Sequence, residues 1–528
     1  MKNQVEELYK RGLKYFDQRN YNDAEMNFKK VLDLDENHID TLNNLGLIFY
    51  YTEKYDRAEQ YFMKIIGLDP HYKYARYNLG NVYFVQKNYT DAEIQYQKAL
   101  EIDGNYLYPI HTLGRIYLEM KKYGDAINQF KQVIKLDNDN IDAWYYLGRT
   151  CTEQKRYEDA EIYYKKVLDL DRHHKNAYYY LARTYQALKK YDTAEQYFIK
   201  SLEVEPNNKY TRYNLGNLYF VQKNYMDAEI QYKKALEIDE RYLYAIHALG
   251  RTYLEMKKYI DAEYQFKHAI KLDNEYIDAW YYLGILYYTK QDYVEAEFWF
   301  KKVIEVKPDY KAVSFYLGRV YFFQKNFRDA ENYLKIAVAK DESDLHSNFY
   351  LGITFISQIK DPSTSDSFIY NEANILNSKN AIQYLEKVLA INPNYKDALC
   401  FLGFAYIILF SYDKAMNFAD KAMNCANKAL EIDPDFSLAW GLKGTVNLAL
   451  GNNLEAIECV IRSKDDVAIE KFLKASYLSN YSRIESQWNN YRLGKTHKES
   501  LISTISKDAA KGFAKGFAKG LLKGFFGL

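Results

Sequence analysis

Apolar residues along the chain fall at spacings of three and four, as in Leu79 and Tyr83, then Ala92, Tyr96, Ala99 and Leu100, with a polar break at Lys87 and Asn88. Such positions share one stripe of an α-helix, so the pattern predicts two helices joined by a tight turn. The unit then repeats. Gly46, Gly80, Gly114 and Gly148 stand 34 residues apart, and the register continues through Ala182 to Gly216, Gly250, Gly284, Gly318 and Gly352. Twelve residues beyond each comes an alanine, such as Ala58, Ala92 or Ala296, and four further on a large ring, such as Phe62, Tyr96, Phe130, Tyr164 or Phe300. A fixed period of this length means stacked units, each contacting only its neighbours. Small residues facing one another across the two helices are expected to let the backbones approach, with the ring filling the groove against the next unit. Pro70, Pro206, Pro308, Pro393 and Pro434 mark the ends of second helices, since proline cannot continue one.

The Leu79-Gly80 pair, Tyr83, Ala92, Tyr96 and the closing prolines together resemble the tetratricopeptide repeat. That resemblance implies an all-α solenoid, a right-handed superhelix of antiparallel helix pairs, with about thirteen repeats over residues 5–470. Two insertions interrupt the register: 17 residues near 360–379, and seven near 423–429, expected to lengthen a second helix. Residues 73–148 nearly repeat as 209–284, which indicates duplication of a four-unit block. Arg11, where other units carry Leu, suits an exposed first repeat. Val467, Ile469, Phe472, Leu473, Ile484, Trp488 and Tyr491 recur at helical spacing, so residues 466–493 are expected to form a capping helix, followed by a linker over 494–510.

In this family the first helices of successive units line a concave face, and ligands bind there. The corresponding stripe carries Asn44, then Tyr74, Tyr77, Asn78 and Asn81, and the duplicate set Tyr210, Tyr213, Asn214 and Asn217. Other units place Arg115, Arg149, Arg183, Arg251 and Arg319 at one shared position, beside Tyr145, Tyr146, Tyr179, Tyr180, Tyr281, Tyr282 and Tyr316. Guanidinium groups give bidentate, charge-assisted bonds and tyrosines give rigid amphipathic area, so the ladder suits an extended peptide with acidic side chains or a carboxylate. The competing reading pairs these arginines with Glu119, Glu153 and Glu255, one turn along the same helices. The carboxylate clamp of chaperone-binding repeats is missing: Asn44 fits its middle element, but Tyr9, Leu13, Tyr74 and Asn78 occupy the flanking positions.

Composition sharpens the picture at three points. Tyrosine is abundant, at 57 residues against 7 Pro and 23 Gly, which excludes collagen-like and linker-rich chains. Ten tyrosines, from Tyr21, Tyr55 and Tyr89 to Tyr293 and Tyr412, are assigned to the start of the second helix, and nine, such as Tyr83 and Tyr219, follow the glycine on the first. Both sets read as core packing, and about seventeen more fall on the groove stripe. Net charge is +1, which gives no footprint for a nucleic-acid partner. The charge is segregated, because seven lysines against Glu499 and Asp508 give residues 494–528 a local excess of +5.

The segment 511–528 holds that excess. Lys511, Lys515, Lys519 and Lys523 recur every fourth residue, separated by Phe513, Phe517, Leu521, Leu522, Phe525 and Phe526. An anionic lipid surface would bury the rings and meet the lysines, at about 1 kcal/mol per basic residue. Elsewhere no run approaches the ~20 apolar residues that span a bilayer, so a cytoplasmic protein, peripheral to a membrane, is expected.

No constellation predicts catalysis, and no cofactor or metal is expected. Cys151, Cys400, Cys425 and Cys459 lie far apart and read as reduced, buried residues. His173 and His174 read as a solvated pair at a turn. Asp-Ala-Glu triplets such as Asp91-Ala92-Glu93 read as solvated surface charge, and the stretch 361–367 as a loop. The function these features support is a scaffold for extended protein segments. The alternatives are a self-associating structural protein and, behind it, a regulatory subunit of an enzyme.

Overall fold

The computed structural model describes residues 2–359 and 367–463, so all but Ser367 of the expected loop at 361–367, together with the capping helix, the linker and the Lys/Phe tail, lies outside the described residues, and Ser367 opens a helix instead. Twenty-six α-helices make up the described chain, the first and second helices of thirteen repeats. The chain divides into two compact units, the first ending at Thr252 and the second beginning at Tyr253.

The first unit holds α1 (Lys2–Asp17), α2 (Tyr21–Leu34), α3 (Ile39–Tyr51), α4 (Tyr55–Leu68), α5 (Lys73–Val85), α6 (Tyr89–Ile102), α7 (Leu107–Glu119) and α8 (Tyr123–Leu136). It continues through α9 (Ile141–Glu153), α10 (Tyr157–Leu170), α11 (Lys175–Ala187), α12 (Tyr191–Val204), α13 (Lys209–Val221) and α14 (Tyr225–Ile238) into α15 (Leu243–Glu255), within which the division falls. The second unit holds α16 (Tyr259–Leu272), α17 (Ile277–Thr289), α18 (Tyr293–Val306), α19 (Lys311–Phe323), α20 (Phe327–Lys340) and α21 (Leu345–Ser357). It ends with α22 (Ser367–Ile391), α23 (Lys396–Asp413), α24 (Met416–Ile432), α25 (Ser437–Ala449) and α26 (Asn453–Arg462).

The spacing of small residues explains how each pair closes. A Cβ added at Gly80 would lie 2.5 Å from the Tyr96 ring, and one at Gly148 would lie 2.6 Å from Tyr164. The glycine of the first helix therefore makes room for the ring of its own pair, which corrects the expectation that it chiefly faces the alanine. Tyr96 and Tyr164 are fully buried, as are Phe62, Phe130 and Phe198 at the same position, and burying a ring of this size contributes about 2–3 kcal/mol. The other face of some of these rings does meet the next repeat, as expected: Phe130 stacks on Tyr146 at 5.6 Å and Tyr164 on Tyr180 at 5.9 Å.

Neighbouring repeats are also stapled by a polar bond. The Tyr83 hydroxyl donates to Glu59 of the preceding repeat at 2.6 Å, and Tyr117 to Glu93, Tyr185 to Glu161 and Tyr219 to Glu195 do the same. The second unit repeats it with Tyr287 to Glu263 and Tyr321 to Glu297. These tyrosines are thus more than packing, and Glu93, read from its triplet as solvated charge, is the acceptor of an inter-repeat bond.

Turns within a pair close on a left-handed residue. At the end of α5, Lys87 has φ 60°, its N–H donates to the Phe84 carbonyl, and the Asn88 N–H donates to Tyr83. This is a Schellman closure with lysine where glycine is usual. Asn88 then caps α6 by accepting the Asp91 N–H. Between pairs, Asp103 accepts the N–H of Asn105, and the same short turn follows Asp35, Asp69, Asp137 and Asp171.

The insertions lengthen helices. In place of the usual second helix of 14 residues, α22 has 25. The later excess is shared between α23, at 18 residues, and α24, at 17, where other pairs have 13 and 14. Tyr412 consequently lies in the last turn of α23, not at the start of a second helix. All four cysteines are buried and free, with burial raising the thiol pKa of Cys151 and Cys400.

Candidate peptide-binding face

First helices of successive repeats approach one another directly. In the first unit α3 meets α5, α5 meets α7, and the series runs on through α9 and α11 to α13, with Cα atoms within 8 Å. In the second, α19 meets α21, α21 meets α23 and α23 meets α25. The stripe named from the sequence lies on these helices, and its residues divide into three positions relative to the repeat glycine.

The position three before it carries Tyr77, Tyr145, Tyr179, Tyr213 and Tyr281. Tyr145 is buried, only 8% exposed, wedged against Tyr146, Tyr180 and His174. That removes it from any binding surface. The others are half-buried: Tyr77 lies against Tyr96 and Tyr106, Tyr213 against Tyr232 and Tyr242, and Tyr281 against Phe300 and Tyr310. Tyr179 accepts a hydrogen bond from Asn214. His174 is no solvated member of a pair; its Nδ1 caps α11 by accepting the Ala177 N–H.

The position two before the glycine carries Asn44, Asn78 and Asn214 or the tyrosines Tyr146, Tyr180, Tyr282 and Tyr316. Asn44 donates to the Tyr9 hydroxyl and Asn78 to Asn43, each bridging to the previous first helix. Each of these tyrosines lays one face on the buried ring of the previous repeat: Tyr282 stacks on Phe266 at 5.7 Å and Tyr316 on Phe300 at 5.5 Å, as do Tyr146 and Tyr180. All four remain half-exposed.

One residue after the glycine stand the arginines and Asn81 and Asn217. The asparagines, themselves partly exposed, reach into the core: Asn81 Oδ1 accepts the hydroxyl of buried Tyr96 at 2.7 Å, and Asn217 accepts that of Tyr232 at 2.8 Å. Each asparagine thus has a structural role in addition to its place on the stripe. The arginines do not form the expected pairs with Glu119 and Glu153. Arg115 lies over Phe84 and Tyr146, Arg149 over Tyr146 and Tyr180, and Arg183 over Tyr179, each 5.1–5.8 Å from the ring centres. Among the described residues none of these three meets a carboxylate within 4.0 Å. Arg251 lies over Phe220. Arg319 sits among Tyr288, Phe315 and Tyr350, donates to the Tyr350 hydroxyl at 3.0 Å, and keeps a buried Nε without a hydrogen-bond partner.

Sequence reasoning named Tyr74 and Tyr210 on the stripe but missed the other tyrosines that gather with them where first helices begin. Tyr74, Tyr106 and Tyr108 cluster around Lys73, which pairs with Asp103 at 2.6 Å. The duplicate block rebuilds the cluster with Tyr210, Tyr242 and Tyr244 around Lys209 and Asp239. Tyr108 and Tyr244 are 62% and 58% exposed. Aligning the turns between repeats would have shown Tyr72, Tyr106, Tyr242 and Tyr310 at one shared register.

Paired helices with a small-residue contact, stacked at a fixed period, define an α-solenoid of the helix-pair type. Family models described as tetratricopeptide repeat match residues 39–72, 74–139, 111–174, 175–241, 208–275 and 277–310. The chain belongs to the tetratricopeptide-repeat proteins. No curated protein matches it in sequence. Among solved structures it is similar to the APC/C hetero-tetramer Cut9-Hcn1, at 13% identity over 84% of this chain and 96% of that one, with a TM-score of 0.41. It is also similar to yeast Tom70, at 14% identity over 88% and 96%, TM-score 0.36. YrrB, a TPR protein with an unusual peptide-binding site, shares 23% identity over 35% of this chain and 96% of its own, TM-score 0.31.

Proposed function

We propose that this chain is a non-catalytic interaction scaffold whose first helices hold extended, acidic segments of partner proteins. Tetratricopeptide repeats bind other proteins, and the observation that carries the finer reading is the run Arg115, Arg149 and Arg183 on three successive first helices. Each guanidinium carbon lies 5.1–5.8 Å from the centre of a tyrosine or phenylalanine ring, and among the described residues none has a carboxylate within 4.0 Å. Arg115 and Arg149 are partly buried and Arg183 is exposed; a cation held against rings without a counter-ion is an incomplete ion pair, and an incoming carboxylate completes it with charge-assisted bonds. A fluorescently labelled Glu-rich peptide should bind the intact chain, and Arg149→Glu with Arg183→Glu should weaken it at least about tenfold, a loss of ~1.4 kcal/mol. Equal affinity with unchanged helix content removes the assignment.

The reading extends to a cytoplasmic protein tethered to an anionic membrane surface through Lys511, Lys515, Lys519 and Lys523 and the apolar residues between them. Sedimentation with vesicles containing anionic lipid should carry down the full chain and leave a chain lacking 511–528 in solution. Both forms remaining in solution would sink the tether.

A further inference from the structure

The arginine run also carries information about the register of its ligand, an inference that rests on the acidic-segment reading above. Arg115 and Arg149 lie 5.5 Å and 5.8 Å from the centre of the same ring, Tyr146, so their guanidinium carbons are within about 11.3 Å of each other. Arg149 in turn shares Tyr180 with the next repeat, whose neighbouring ring, Tyr179, carries Arg183. The first helices α7, α9 and α11 that present them touch directly, and helices in contact are spaced about 8–10 Å between axes. Side chains at one register position on such helices are expected to advance by about 8–10 Å per repeat, within the bound set for Arg115 and Arg149.

An extended β-strand presents side chains to one face every second residue, about 6.6–6.8 Å apart, or every fourth, about 13 Å. Neither matches. A polyproline II segment returns to the same face every third residue, at about 9.3 Å. That step falls within the repeat spacing. A guanidinium presents a planar fork of N–H donors that takes a carboxylate in bidentate fashion, and none of the three meets a carboxylate within 4.0 Å among the described residues. Beside the cations, the partly exposed Tyr146 and Tyr180 add aromatic edges of the kind that line grooves for proline-rich, polyproline II segments.

We infer that the α7–α9–α11 face is selective for a polyproline II segment carrying an acidic residue at every third position, one carboxylate per repeat on Arg115, Arg149 and Arg183. The intervening residues of such a ligand are proline or other apolar side chains lying over the tyrosines. The asparagine-bearing helices α5 and α13 flank this run and carry no cation at the arginine position, which confines the code to three repeats.

The test uses the full chain and labelled proline-rich peptides of one composition, with the glutamates spaced by two, three or four residues, and a glutamine version of the third-residue peptide. Fluorescence anisotropy should show the third-residue spacing binding about tenfold tighter than the other two, the equivalent of one fully formed contact. Arg149→Ala should erase that advantage, and Arg149→Lys, which keeps the charge but not the fork, should reduce it. Thermal melting followed by helix content shows whether each variant remains folded, and Arg183→Ala provides a second, more exposed substitution. Equal affinity for all three spacings, still lost in Arg149→Ala, overturns the register and leaves the acidic-segment reading standing. No binding by any acidic peptide overturns both.

Discussion

A buried phenol needs a hydrogen-bond acceptor, and the chain supplies one where it places tyrosine at the ring position of the second helix. Tyr96 and Tyr232 meet Asn81 and Asn217, and Tyr164 meets the Thr152 hydroxyl at 3.1 Å. Phe130 and Phe198, at the same position in other repeats, leave the equivalent site to Arg115 and Arg183. The ring does not set that residue by itself, since Arg149 stands there over Tyr164 and the Thr152 hydroxyl takes the place of an asparagine. Replacing Asn81 with Leu orphans the Tyr96 hydroxyl and should cost about 1–3 kcal/mol. Tyr96→Phe in the same chain should recover most of that loss. Urea denaturation of the two single variants and the double measures the coupling, and additive losses would show that the pair does not interact.

Most helix pairs are closed by a residue in the left-handed region, and in the first unit Lys87, Lys121, Lys155, Lys189 and Lys223 hold this conformation at φ values of 59–61°. For a residue with a Cβ that conformation costs about 1 kcal/mol or more, and the Schellman bonds around it offset the cost. Glycine should therefore stabilise the turn. Lys155→Gly together with Lys189→Gly is expected to raise the stability of the chain by roughly 1 kcal/mol or more, since the two sites are in separate turns and their effects add. An unchanged or lower melting temperature would mean that the lysine side chains contribute more to the helix ends than the backbone strain removes. The break at Lys87 and Asn88 was visible in the sequence as a polar gap, whereas the sign of its φ was not, because lysine is no signal for that region.

Across the whole chain the inter-repeat Tyr–Glu bonds set a limit at high pH. Burial first, and then the hydrogen bond to glutamate, push Tyr117 and Tyr321 up to about 12 from the usual tyrosine value near 10, and raise Tyr83, Tyr219 and Tyr287 by the same causes. The unfolded chain releases these protons first, so the stabilisation is complete below about pH 10 and disappears as pH rises through about 12. Because stability in a stacked array adds up over the interfaces between repeats, loss of these bonds acts at many junctions together. Phenolate absorbance should develop in two stages, the second coinciding with loss of helix, and a single stage near pH 10 with helix content intact would refute the account. The period of 34 residues, the helix pair, the glycine–ring register and the proline stops follow from the sequence alone, because they are local and recur often enough to be compared with one another. Whether Asn81 faces a ligand or a buried phenol, whether Arg149 meets Glu153 or two tyrosine rings, and whether Tyr145 is surface or core were decided only by tertiary structure. Those outcomes depend on which side chain of the adjacent helix stands within reach, and residues on one helical stripe are equivalent in sequence until that neighbour is in place.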